Sequence, residues 1–487
     1  MDRASGQSKA YAVVSRLHQP AWCWPIAFLV AGFYVASSLY ISSQRLLWFD
    51  EIFTAIISRL PDVRTIWKAL SESADATPPL FFLITRIFDQ VFRHGDLGMR
   101  VPSAIALGAG LLVTFDIARR LTDGLYGLIA MSLLTTSFVT YYGYEARAYA
   151  LYFMLSAMAL WLWAFTEDGS KTAAAAFGVL FLIGVPIHYY FSLCLAPFGI
   201  LALAQRRIFH PKVVAGAAGV ICSAALLYPQ IASSRAAVQA FGTWNQQSLA
   251  RLQSVYLEFF PDAIVPLVLI AVGVAVLGGS RERMVSSISS GERVSWLFLA
   301  VPLVGYVLAR LVTNSFYNRY LVGAVPGMAV AVTCLFWRHC RESRYLSLAL
   351  LVLFGGFGLS QQVRTLRHIE HIPATFGDPQ ERTRQMLELE DTLEREGKRH
   401  FAVARNLLFL EAWYYSKHRE QYEYFSNEPL VLQKYAPLKV VWVREIVANA
   451  RQTAVIDPEP AFAEALEKAG LHLKVRFAKP QYVVYLE

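Results

Sequence analysis

Charge is what this chain has least of. Only 17% of its 487 residues are Asp, Glu, Lys or Arg, against about 25% in an average soluble domain. The deficit comes from long apolar runs: 55% of the residues are hydrophobic and the mean hydropathy is +0.39. A soluble globular class is excluded, and the composition is that of a polytopic membrane protein. Cysteine is also scarce. Cys23, Cys194, Cys222, Cys334 and Cys340 lie in or beside apolar runs, and none shows CxxC spacing. They read as small buried hydrophobes rather than metal or redox groups. No GxxxxGK[ST] and no GxGxxG on a strand–helix turn is present, so no soluble nucleotide is implied. Low-complexity tracts and repeats of fixed period are absent too. Lys and Arg (45) exceed Asp and Glu (36), yet no basic run is interleaved with aromatics on a soluble segment. The excess belongs to cytoplasmic loops and anionic lipid, not to nucleic acid.

What is present is a series of eleven apolar stretches, at roughly 24–43, 101–118, 124–141, 147–165, 173–187, 189–205, 213–230, 262–279, 294–312, 320–337 and 345–362. Each is near or above the ~17 residues a span requires. Arg3, Lys9 and Arg16 precede the first stretch, which is too long for a signal-peptide core and lacks a small-residue cleavage site. It reads as a retained span with its N-terminus in the cytoplasm. The segment 78–92 is short and carries Arg86 and Asp89. If it does not cross, Arg119-Arg120, Lys171, Arg206-Arg207-Lys212, Arg281/Arg283/Arg293 and Arg338/Arg341/Arg344 all fall inside. If it crosses, every one of those basic loops moves outside. The positive-inside rule favours the first arrangement. Residues 44–100 then form one long outer loop with amphipathic interfacial helices, one of them over 61–70 with Val63, Ile66, Trp67 and Leu70 on one side.

From about Arg364 the composition changes. His368 to Arg399 is rich in Glu and Arg and reads as solvated helix. Strand-like runs follow at Phe401–Ala404, Val440–Val443, Leu473–Phe477 and Tyr482–Leu486, with a helix near Ala461–Ala469. The expected organisation is a transmembrane domain over 1–363 and a small extracytoplasmic α/β domain over 364–487.

In this topology the polar residues at the outer span ends share one membrane face. They are Asp50-Glu51, then Tyr141-Tyr142-Gly143-Tyr144-Glu145-Ala146-Arg147-Ala148-Tyr149, then His188-Tyr189-Tyr190, then Tyr317-Asn318-Arg319-Tyr320. Ionisable groups near the bilayer are costly and commonly functional. Carboxylate, guanidinium and tyrosine together suit group transfer from a lipid-linked donor. A carboxylate can take a proton from an acceptor hydroxyl or amine. Arginine can hold a lipid phosphate in fork geometry as it leaves. Tyrosine can line a sugar site at the interface. Plain structural readings stand beside these. Asp50-Glu51 could pair with Arg45 or Arg59 at a helix end, Glu145 with Arg147, and Arg319 could anchor a span end. His188 could be a satisfied interfacial histidine, and the tyrosines an aromatic belt.

The ordered set of an apolar span, Asp50-Glu51, Pro78-Pro79-Leu80, Arg100-Val101-Pro102-Ser103 and the Tyr141–Leu151 run resembles the GT-C glycosyltransferases. The branch it is most similar to holds the bacterial relatives of protein O-mannosyltransferases and the lipid A aminoarabinose transferase. The resemblance implies a polytopic α-helical fold with about eleven transmembrane helices and a sugar donor carried on polyprenyl phosphate. It implies transfer at the extracytoplasmic face of the inner membrane to a lipopolysaccharide, another envelope glycan or a protein. Asp50 is the implied base with Glu51 in support, Glu145 the second-loop acid, and Arg319 the contact to the donor phosphate. Arg147 is a further phosphate candidate, and His188, Tyr189, Tyr144 and Glu145 are candidate substrate contacts. Members of this branch often have Lys or His before Pro-Pro-Leu. Here Thr77 stands there, and His188 and Arg147 are the candidates to take the place of that cation. A divalent cation held by Asp50 and Glu145 is left open, since some members of this fold use one. The competing classes are a lipid or glycan transporter and a non-catalytic envelope-assembly subunit.

Overall fold

The computed structural model describes residues 20–93, 95–241, 248–264, 266–267, 288–313, 316–372, 379–426, 431–479 and 482–486. The helices are α1 Pro20–Gln44, α2 Phe49–Ser58, α3 Val63–Ser71, α4 Pro79–Val91, α5 Asp96–Leu121, α6 Gly124–Thr135, α7 Tyr149–Phe165 and α8 Lys171–Ile187. They continue with α9 Ala196–Ala204, α10 Pro211–Leu226, α11 Tyr228–Phe241, α12 Leu249–Phe259, α13 Ser290–Leu297, α14 Val301–Leu308, α15 Val325–Cys340 and α16 Arg344–Arg367. The C-terminal helices are α17 Pro379–Arg395, α18 Asn406–Tyr415, α19 Val443–Ala448 and α20 Pro460–Lys468. The chain sorts into two compact units, one of Met1–Ser42 with Ala76–Arg367 and one of Ser43–Asp75 with His368–Glu487.

The first unit is the helical one. Among the described residues five helices are long and apolar enough to cross a bilayer: Trp22–Gln44, Asp96–Leu121, Ser290–Leu311, Asn318–Cys340 and Arg344–Arg367. Two bent pairs bring the number to as many as seven: Gly124–Thr135 with Phe138–Tyr144 turns by 72°, and Pro211–Leu226 with Tyr228–Ala237 by 67°. The shorter apolar helices Tyr149–Phe165, Lys171–Ile187 and Tyr189–Ala204 coincide with three more expected spans. A 17-residue helix is ~26 Å long, close to the ~30 Å hydrocarbon core. The expected span at 262–279 falls mostly outside the described residues. α4 has 13 residues, so it is ~20 Å long and short of the core.

The sequence starts and stops these helices by recognisable chemistry. Asp123 caps α6, its Oδ1 accepting from the backbone N–H groups of Leu125 (3.0 Å) and Tyr126 (3.3 Å). Ser170 caps α8, accepting from Ala173 N at 3.2 Å. At the basic ends a carboxylate gathers the arginines. Asp116 holds Arg119 and Arg120, and Glu292 holds Arg338 with contacts of 2.7 and 2.6 Å. Asp168 faces Arg207, His210 and Lys212. These are the residues that the positive-inside argument places in the cytoplasm.

The second unit is built on a six-stranded sheet of order β3-β2-β1-β4-β6-β5. Its strands are β1 His400–Val403, β2 Tyr422–Phe425, β3 Lys439–Val441, β4 Thr453–Ile456, β5 Lys474–Lys479 and β6 Tyr482–Leu486. β1 to β4 pair parallel, and β5 and β6 close one side antiparallel. Ala402, Phe425, Val441, Ile446, Val455 and Leu466 pack one core. Residues Ser43–Asp75, which follow α1, belong to this unit. Glu411 on α18 is fully buried, takes both arms of Arg382 (2.8 and 2.7 Å) and accepts from Phe49 N at 3.3 Å. Burial pushes the Glu411 carboxyl up, and Arg382 opposes that rise. Gln380 bonds both the N–H (3.1 Å) and the C=O (3.0 Å) of Leu46, and Arg59 donates to the Tyr414 hydroxyl at 2.7 Å.

Candidate active site

In the first unit the bend after α6 creates the site. α6 ends at Thr135, and Ser137 opens the short 3-10 helix Phe138–Tyr144, which delivers Glu145-Ala146-Arg147 in extended and turn backbone before α7 begins. Glu145 is 1% exposed and Arg147 8%. The Arg100-Val101-Pro102-Ser103 motif fixes this corner from α5. Arg100, fully buried, donates to Ser42 O at 3.0 Å, and Ser103 Oγ donates to Arg147 O at 3.2 Å. The Arg147 Nη2 donates to Thr77 Oγ1 at 2.8 Å. The guanidinium therefore sits on the residue that precedes Pro78-Pro79-Leu80.

His188 is the residue that ends α8, and it is walled by aromatic rings. Tyr152 stacks on it at 4.8 Å and 16°; Tyr149 stands at 5.4 Å, with Tyr190 and Tyr320 at 6.0 Å. Its Nδ1 accepts from Tyr190 N at 3.3 Å, which assigns the ring proton of the neutral form to Nε2. Burial, then Arg147, then Arg319 push its pKa down from 6.5 to about 3. His188 is thus a neutral hydrogen-bond donor at ordinary pH, not a proton carrier.

Arg319 lies in the 3-10 helix Asn318–Ala324, with its guanidinium over Tyr317 (5.0 Å), Tyr320 (5.5 Å) and Tyr149 (5.9 Å). A cation against three ring faces is held electrostatically. The backbone there is tethered. Asn318 Oδ1 accepts from Arg319 N at 2.7 Å, and Asn318 Nδ2 donates to Glu258 Oε2 at 2.7 Å. Glu258 Oε1 in turn meets Arg251 Nη1 at 2.7 Å. Tyr142 lies within the electrostatic reach of Glu145, Tyr149, Arg319 and Glu258 together. The structure thus gathers Glu145, Arg147, His188 and Arg319, with Tyr149, Tyr152, Tyr190 and Tyr320 between them. Tyr144 is buried on the same 3-10 turn, its ring 5.1 Å from Tyr141. The Tyr189 carbonyl accepts from Ser192 Oγ at 2.8 Å.

Asp50 and Glu51 belong to the second unit, in the first turn of α2. Glu51 is fully buried, and its Oε2 accepts from Trp48 N at 3.2 Å, so it closes the N-terminus of its own helix. Asp50 is half-buried. Its carbonyl accepts from Thr54 Oγ1 at 3.2 Å. Asp50 and Glu145, the pair considered for a divalent cation, therefore lie in different units. Among the described residues no group of three or more His, Cys, Asp or Glu side chains is gathered to hold a metal.

Glu258 and Tyr152 of this constellation are not among the residues the sequence singles out. Tyr149 and Tyr152 are three apart on α7 and so share a face, and Arg251 and Glu258 are seven apart on α12. Those spacings were the available signal.

Residues 76–231 match the model of a family described as dolichyl-phosphate-mannose-protein mannosyltransferase. No curated protein matches the chain by sequence. Among solved structures, ArnT from Cupriavidus metallidurans bound to undecaprenyl phosphate superposes with a TM-score of 0.58 at 14% identity, covering 95% of this chain and 97% of that one. The apo form of the same protein gives 0.57 at 13% identity, covering 96% and 98%. Likeness at such identities, running almost end to end, is a likeness of fold: this multi-pass chain has the fold of that transferase, and about a third of its length matches the mannosyltransferase family model.

Proposed function

We propose that the protein is a membrane glycosyltransferase. It takes a monosaccharide from a polyprenyl-phosphate donor and passes it, with inversion, to a lipopolysaccharide, another envelope glycan or a protein. The observation that carries this reading is the buried cluster in which Arg147 and Arg319 flank a neutral His188 among tyrosine rings. Two fixed cations with a hydrogen-bond donor between them match a sugar–phosphate linkage. The fold relative's undecaprenyl phosphate supports the lipid carrier.

In the proposed step the acceptor oxygen or nitrogen attacks the anomeric carbon as the bond from that carbon to the phosphate oxygen breaks. The electron pair leaves with the polyprenyl phosphate, and Arg319 and Arg147 take up the developing charge. The acceptor proton passes to a carboxylate, which the family resemblance assigns to Asp50. His188 Nε2–H, Glu145 and the tyrosine hydroxyls orient the sugar. The site faces the extracytoplasmic side of the inner membrane, on the strength of the basic clusters at Asp116, Asp168 and Glu292 lying at the other helix ends.

The test uses the purified full-length protein in lipid with a polyprenyl-phosphate sugar and a panel of envelope acceptors, and follows release of polyprenyl phosphate. Wild type transfers sugar, and Arg319→Gln and Asp50→Ala, folded as judged by melting, do not. Normal turnover by either variant removes that residue from the mechanism. Movement of the intact donor across vesicles without transfer overturns the glycosyltransferase reading in favour of a transporter.

A further inference from the structure

A cavity of about 730 Å³ opens between α1, α5, α7 and α8. Its walls include Leu112, Met158, Val179 and Ile183, and they are apolar except at one end. Met158, Val179 and Ile183 are exposed, so the groove is open on the side where spanning helices meet lipid.

The polar end is constructed. Asp116, 6% exposed, reaches Arg119 Nη2 at 2.5 Å and Arg120 Nε at 2.7 Å, and accepts from the Trp161 indole N–H at 2.8 Å. Trp24 and Trp161 both line the cavity, and each lies beneath a guanidinium. Arg119 stands 5.6 Å from the Trp24 ring, and Arg120 stands 5.5 Å from Trp161 and 5.2 Å from Phe165. Two guanidinium groups share the Asp116 carboxylate at the polar end of an apolar groove. The two arginines also offset the C-terminal dipole of α5. The dipole does not account for rings that hold both cations at the rim of a cavity. Basic pockets between spanning helices at the cytoplasmic side are sites for anionic lipid headgroups.

We propose that this groove binds an anionic glycerophospholipid. One acyl chain lies along Leu112, Met158, Val179 and Ile183, and the phosphate is held by Arg119 and Arg120. The site is independent of the sugar-transfer reading, since none of its residues takes part in that step. It gives the helical unit a lipid-dependent stability at the end opposite to the candidate active site.

The experiment exchanges the purified full-length protein into mixtures of tail-matched phosphatidylglycerol and phosphatidylcholine, with polyprenyl phosphate as a third arm, and counts bound lipid by native mass spectrometry. Wild type retains phosphatidylglycerol preferentially. Arg119→Gln with Arg120→Gln reduces that preference by about fivefold for each arginine removed. Val179→Trp, which fills the groove, lowers retention of the lipid. Arg341→Gln, which lifts an arginine from Trp337 elsewhere on the basic side, leaves the preference unchanged. Equal retention of both phospholipids by wild type overturns the proposal, as does a stronger preference for polyprenyl phosphate or an unaltered preference in the folded double variant. If the double variant does not fold, wild type against Val179→Trp decides, and equal phosphatidylglycerol retention by the two overturns it.

Discussion

His188 offers the sharpest test of the site's electrostatics. Its imidazole is buried among four tyrosine rings, and that burial, with Arg147 and Arg319 adding to it, lowers its pKa from 6.5 to about 3. A depression of that size corresponds to about 5 kcal/mol against protonation in the folded state. The native state therefore binds fewer protons than the unfolded chain at every pH below about 6.5. His188 costs no stability above pH 6.5, and its penalty grows as pH falls from there toward 3. By pH 5 the loss is about 2 kcal/mol, and by pH 4 about 3 kcal/mol. His188→Gln keeps a donor amide but does not titrate, so it should flatten this part of the acid limb. The assay is thermal melting of wild type and variant in the same lipid from pH 7.5 to 4, together with the His188 ring signals by NMR. The ring resonances should not move between pH 7.5 and 5. A titration with its midpoint above 5, or acid limbs that superpose in the two proteins, would refute the neutral donor assignment.

Other outcomes follow from the same geometry. Arg319→Gln should lower kcat by about 10²–10³-fold, the usual loss for a group that stabilises a leaving charge. Arg319→Lys should recover little of it, because an ammonium lacks the planar fork; steady-state kinetics on the folded variants decide this. Glu258→Gln should lower kcat more than it changes KM, since Glu258 acts through Asn318 on Arg319, and equal loss of melting temperature and activity would mean a structural role only. Glu411→Ala leaves Arg382 buried without its bidentate partner and should cost about 3–5 kcal/mol. Glu411→Leu with Arg382→Met should regain much of that, read by melting of the full-length protein. Gly323→Val should disrupt the corner beside His188, because even a Cβ there would come within 2.3 Å of the Tyr152 ring.

The spans were legible because a bilayer imposes length and polarity on each segment separately. Ten of the eleven expected stretches correspond to helices or bent helix pairs, and the other falls mostly outside the described residues. Strands β2 and β4 escaped notice. Tyr422–Phe425 contains Glu423, which pairs with His400 on the neighbouring strand, and Thr453–Ile456 is four residues long and buried throughout. A short strand buried on both faces shows no alternation, so periodicity cannot mark it. The packing of Ser43–Asp75 with the C-terminal residues was illegible for another reason. Contacts such as Gln380 with Leu46 join positions 334 residues apart, and no local pattern encodes them. At the site, the residue types were legible and the division of labour was not. Asp50 and Glu51 are neighbours in sequence, yet Glu51 spends an oxygen on the N-terminus of α2.

The three basic features of the site region differ in a way that constrains its chemistry. Arg147 donates to a hydroxyl, that of Thr77. Arg319 is held by ring faces and by a backbone tether to Asn318, whose amide donates to Glu258, and Glu258 in turn meets Arg251. His188 is kept neutral by burial first and by both arginines after it. Elsewhere in the same unit, Arg338 is paired bidentately with Glu292, and Asp116 serves Arg119 and Arg120. Arg338, Arg119 and Arg120 thus meet carboxylates at the basic helix ends, whereas the guanidinium groups of Arg147 and Arg319 meet a hydroxyl and tyrosine rings. Ring faces and a hydroxyl fix where a planar fork stands, and that fork matches the oxygens of a phosphate, so both arginines suit the departing polyprenyl phosphate of the proposed step.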